Sequence, residues 1–66
     1  MKPEFIKAQK KGSVLLENRF KTEKGEYRIV ISRYNSDIYF FKYRDGVLLE
    51  CQNLNAAKPK EDNSNG

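Results

Sequence analysis

Residues 37–54 read DIYFFKYRDGVLLECQNL, two runs of strand-forming side chains joined by Asp45-Gly46. Ile, Tyr, Phe, Val and Leu fill both runs, the composition of strands. Asp-Gly is among the strongest two-residue hairpin signals, because a type I′ turn needs positive φ at both central positions. The stretch reads as an antiparallel hairpin.

N-terminal to it, SVLLENRF (13–20) and EYRIVISR (26–33) have the same character. They are separated by Thr22-Glu23-Lys24-Gly25, and the second is separated from the hairpin by Asn35-Ser36, both of them turn chemistry. The prediction is a mainly β fold: a four-stranded antiparallel meander over residues 13–54, open or curled into a small barrel. Residues 1–12, MKPEFIKAQKKG, form a basic N-terminal arm or short helix. Pro3 suits a first turn, and a helix over Glu4 to Lys11 is too short to persist unless Phe5 and Ile6 dock on something. Residues 55–66, NAAKPKEDNSNG, carry no β-branched or aromatic side chain and read as a disordered polar tail.

Loops of four, two and two residues would pair Phe20 with Tyr27, Ile31 with Phe40, and Phe40 with Cys51. Even loops carry one side-chain parity across the sheet. Face A then takes Val14, Leu16, Phe20, Tyr27, Ile29, Ile31, Ile38, Phe40, Val47, Leu49 and Cys51, and reads as the core. Face B takes Leu15, Glu17, Arg19, Arg28, Val30, Ser32, Tyr39, Phe41, Tyr43, Leu48, Glu50, Gln52 and Leu54, and is mixed. Lys42 is the weak point of this register, since it lands on face A between Ile29 and Leu49, where a buried ammonium is costly. A single sheet with a bare apolar side is not a stable object. The arm, closure into a barrel, or a second chain must cover face A, and a homo-oligomer, a dimer, is expected.

Composition narrows the chemistry. The 66 residues hold 13 Lys and Arg against 9 Asp and Glu, a net charge of +4, with no His, no Trp and one Cys. Lys58 and Lys60 cancel Glu61 and Asp62, so the whole excess lies in residues 1–54. Cys51 alone makes no intramolecular disulfide and, without histidine, no four-ligand zinc site. Ser-His-Asp and Cys-His catalysis are removed with the histidines. On face B, Glu17 and Glu50 lie about 14 Å apart at roughly 4.8 Å per strand, too far for paired carboxylate work. No enzyme, cofactor or metal is expected. No apolar run reaches the ~20 residues a membrane span needs, and a cytoplasmic protein is the expectation.

The sharpest candidate site is the stripe Tyr39, Phe41 and Tyr43 on face B, with Arg28 opposite Tyr43 and Arg19 beside Arg28. Lys10 and Lys11 extend the basic surface. Bases stack on exposed rings while cations track phosphates, so this pattern suits single-stranded DNA or RNA. Aromatic residues at alternate strand positions are also good packing material, covered by an arm or by a second chain. DIYFFKYR lacks the glycine that RNA-recognition motifs carry between their aromatic residues. The expected function is a small binding module for single-stranded nucleic acid. The alternative is a protein-interaction or inhibitor module using the same face or a strand edge.

Overall fold

The computed structural model describes residues 1–55. The chain forms helix α1 (Pro3–Lys11) and strands β1 (Ser13–Thr22), β2 (Gly25–Tyr34), β3 (Asp37–Arg44) and β4 (Val47–Asn53). The strands make one antiparallel sheet in the order β1-β2-β3-β4. The meander is as expected. The sheet stays open, with β1 and β4 as its edges, so barrel closure does not occur. The expected disordered tail falls, apart from Asn55, outside the described residues.

Turn chemistry sets the hairpins. Asn35 and Ser36 have φ of 56° and 70°, and Asp45 and Gly46 have 50° and 84°, the pattern of two-residue primed turns. At the first turn the Thr22 hydroxyl accepts the Lys24 N–H at 3.0 Å. Asp45 also ties two turns together: its Oδ1 accepts the Glu26 N–H at 3.0 Å, and its own N–H donates to the Glu26 carbonyl at 2.8 Å.

The pairs Phe20–Tyr27, Arg28–Tyr43 and Ile31–Phe40 occur as the even loops require. The pair Phe40–Cys51 does not. A register shift between Lys42 and Tyr43 leaves Leu49 as an extra residue, so Phe40 faces Gln52 and Cys51 faces Phe41. Cys51 therefore lies on face B, while Glu50 and Gln52 move to face A. A second shift leaves Leu15 unpaired between Val14–Ser32 and Leu16–Ile31, which turns Val14 to face B.

The core also lies on the opposite side from the expected one. Ala8, Val30, Tyr39 and Phe41 are the buried apolar residues, with Phe5, Tyr34, Tyr43, Leu48 and Cys51 packed around them. All but the two helix residues belong to face B, which α1 covers. Gly12 allows α1 to run into β1. A side chain there would bring its Cβ 2.4 Å from the Ala8 carbonyl oxygen and 3.2 Å from that of Arg33.

Candidate functional site

The aromatic stripe is the seat of the helix. Tyr39 and Phe41 are 3% and 1% exposed, with their rings 6.3 Å apart, and so are closed to a stacking base. Ala8 presents no side chain beyond its methyl, which lets α1 lie close, and Phe5, one turn earlier, meets the Tyr39 ring. Two polar latches complete the seat. The Tyr39 hydroxyl donates to Glu4 Oε2 at 3.3 Å, and the Tyr43 hydroxyl donates to Gln9 Oε1 at 2.9 Å. Burial and the nearby Glu4 and Asp37 carboxylates raise the Tyr39 phenol above its ordinary value of 10.0. Burial also raises Tyr43, against the opposing pull of the Arg28 cation. Of the helix residues that form the seat, Glu4, Ala8 and Gln9 carry no signal in the sequence beyond their spacing on one short helix.

The arginines remain accessible. Arg28 lies over the Tyr43 ring at 4.6 Å, and Arg19 stands directly across from Arg28 on β1. Both reach Glu17: Arg19 Nε donates to its Oε2 at 3.3 Å, and Arg28 Nε stands 3.2 Å from the same oxygen. The Arg28 contact is ionic only, since that N–H finds no hydrogen-bond acceptor. One carboxylate thus offsets two guanidinium groups. Lys10 and Lys11 are exposed on the last turn of α1. Of the expected site residues, the fold brings together Arg19, Arg28 and Tyr43 and withdraws Tyr39 and Phe41 from solvent.

Face A is the surface left over. Its cross-strand rows run Leu16–Ile31–Phe40–Gln52, Asn18–Ile29–Lys42–Glu50 and Phe20–Tyr27–Arg44–Val47. Leu16 is 55% exposed, Phe20 44% and Val47 62%, and no element among the described residues lies over them. Phe20 and Tyr27 stack on each other, with centroids 5.4 Å apart and planes at 5°. The Lys42 ammonium stands 5.6 Å from the Tyr27 centroid. These three residues line an open hollow of about 420 Å³ with Thr22, Glu23 and Lys24. Lys42 thus sits on a solvated face beside Glu50, which removes the difficulty it posed for a buried face A.

Among the described residues there is no group of three or more His, Cys, Asp or Glu side chains placed to hold a metal ion. No described helix is long and apolar enough to cross a membrane. No protein-family model matches the chain, and neither a curated protein nor a solved structure is similar to it.

Proposed function

We propose that the protein is a small binding module without catalytic chemistry of its own, and that its contact surface is face A, which takes an apolar protein surface. One observation carries this reading: among the described residues the single helix covers face B, while Leu16, Phe20 and Val47 of face A stand exposed to solvent. Such patches on small domains mark interaction sites. Aliphatic residues outnumber rings there, which favours a protein over stacked bases. Immobilised wild-type protein should retain its partner, and the double variant Leu16→Lys, Phe20→Lys should not. Equal retention by both would remove face A from consideration.

A second reading, single-stranded nucleic acid, draws on the net charge of +4 and on Lys42 and Arg44 beside the Phe20–Tyr27 pair. Anisotropy of labelled DNA and RNA across a salt series tests it. Each neutralised phosphate contributes about −0.7 to the slope of log affinity against log salt. No binding at low salt would end that reading.

A further inference from the structure

The cations of face A say more about its occupant than the apolar side chains do. Register places Arg33, Lys42 and Arg44 on this face with Glu50 as the one carboxylate, an excess of two positive charges. Among the described residues the ion pairs are those of Glu17 with Arg19 and Arg28, both on face B. Arg33, Lys42 and Arg44 therefore make no salt bridge within the described chain. Arg33 is exposed and the other two are half-buried. We infer that face A receives an amphipathic helix of a partner protein, with carboxylates flanking its apolar stripe. The inference rests on face A being the contact surface and adds the chemistry of the partner.

The sheet itself favours a helix. A segment laid on the face of a sheet finds no backbone partners there, so it must satisfy its own, which a helix does. Helix α1 already covers face B in this way. Along β1 and β2, a second helix would set its stripe on Leu16, Phe20, Ile29 and Ile31, with Asn18 the one polar side chain between Leu16 and Phe20. Its flank would then lie over β3, where Lys42 and Arg44 project from the same face. Two strand residues span about 6.6 Å, and four helical residues rise about 6 Å, so carboxylates at i and i+4 match that pair. At the same end, Phe20, Tyr27 and Lys42 line the hollow of about 420 Å³, which takes an apolar anchor beside the Lys42 ammonium.

Other occupants fit less well. A second copy brings the same excess of cations, and two such surfaces repel. Residues 56–66 hold Glu61 and Asp62 but no apolar side chain larger than proline. Single-stranded nucleic acid would satisfy the cations. The Phe20 and Tyr27 rings, however, stack on each other 5.4 Å apart, and the Lys42 ammonium stands by Tyr27, which leaves little open ring for a base.

Selection from a random library of 15-residue peptides on the immobilised protein, with counter-selection on the double variant Leu16→Lys, Phe20→Lys, tests the inference. The expected enrichment is for apolar residues at helical spacing together with acids at i and i+4. The strongest selected peptide should bind at least tenfold more weakly to Lys42→Glu, Arg44→Glu, and its affinity for wild type should fall as salt rises. Enriched peptides that are neutral or basic overturn the acidic helix and leave face A as the contact surface. So does a selected peptide indifferent to salt and to the charge reversal. No enrichment on wild type over the Leu16→Lys, Phe20→Lys variant removes the protein-contact reading and the helix with it. An oligonucleotide that then binds wild type, and not Lys42→Glu, Arg44→Glu, would assign the face to nucleic acid. Should a variant lose its far-ultraviolet circular dichroism, methyl resonances of wild type decide. Shifts at Leu16, Ile29 and Ile31 on adding the selected peptide support the inference, and shifts confined to Ala8 and Val30 on face B overturn it.

Discussion

The Phe5 ring meets the Tyr39 ring edge-on, with centroids 5.7 Å apart and planes at 89°, and the hydroxyl of that same tyrosine donates to Glu4, the residue before Phe5. Two successive helix residues thus grip one strand residue, one by its ring and one by its oxygen. A nine-residue helix has little stability alone. Its helicity is therefore conferred by the sheet, and losing the grip should unwind it.

Phe5→Ala is expected to cost about 2–4 kcal/mol, below the range for a fully buried Phe because Phe5 is only half-buried, and to lower helical circular dichroism before the sheet melts. A thermal melt followed at helix- and strand-sensitive wavelengths checks this. Coincident, unshifted transitions would mean the arm does not need Phe5.

Phe41 is the largest fully buried side chain. Phe41→Ala should cost about 3–5 kcal/mol, which a domain of this size is not expected to survive folded. Loss of dispersed amide resonances is the readout, and a folded variant would show that the face B core matters less than its burial implies.

Alkaline pH should act through Tyr39. Its folded phenol titrates above 10.0 because of burial and the nearby carboxylates. From about pH 10 up to the folded value, the unfolded chain loses this proton while the folded chain keeps it, so stability falls as pH rises through that window. Below it, this group contributes no pH dependence. Urea midpoints measured across the window should fall more steeply for wild type than for Tyr39→Phe. Parallel profiles would place the alkaline loss elsewhere.

Ser36 holds φ of 70° without being glycine. The left-handed region costs an ordinary residue about 1–2 kcal/mol, partly offset by the extra chain entropy of glycine. Ser36→Gly is expected to stabilise the hairpin by about 0.5–1 kcal/mol, read from denaturant midpoints. A neutral or negative change would mean the serine hydroxyl compensates.

Gly12→Ala should destabilise by about 1–3 kcal/mol, the usual cost of overpacking, because the added carbon meets two backbone oxygens that cannot swing aside. Gly46, where nothing stands within 4 Å of an added Cβ, gives the contrast. Gly46→Ala strains only the positive φ of 84°. Comparing the melts of the two variants separates contact from conformation.

Strand composition and turn residues made the meander readable, since Asp45-Gly46 and Asn35-Ser36 are residue types that tight turns favour and strands do not. The pairings nearest those turns followed from counting. The two extra residues, Leu15 and Leu49, were not readable, because a bulge needs no special residue type and here interrupts ordinary aliphatic runs. Everything beyond Leu49 changes face on that account, Cys51 included. The choice of core face was also hidden, as it depends on Ala8 being small enough for α1 to settle on Tyr39 and Phe41. Lys42 held the clue: a lysine amid face A is out of place in a core and at ease on a surface. At the candidate site, the grouping of Arg19, Arg28 and Tyr43 was readable from register. Burial of Tyr39 and Phe41 under the arm was one of two readings the stripe allowed, and the structure takes it; alternation alone could not choose, since it shows that residues share a face but not what lies on it.

The two bulges also mark where the chain can change length. Deleting Leu15 or Leu49 removes a residue that pairs with nothing and leaves every other cross-strand partnership intact. Deleting Ile29 or Phe40 would invert the facing of the remainder of its strand, sending charges under the helix and rings into water. Tolerance to single-residue loss should therefore be confined to two leucines near opposite edges of the sheet, an uneven pattern for side chains so alike in chemistry.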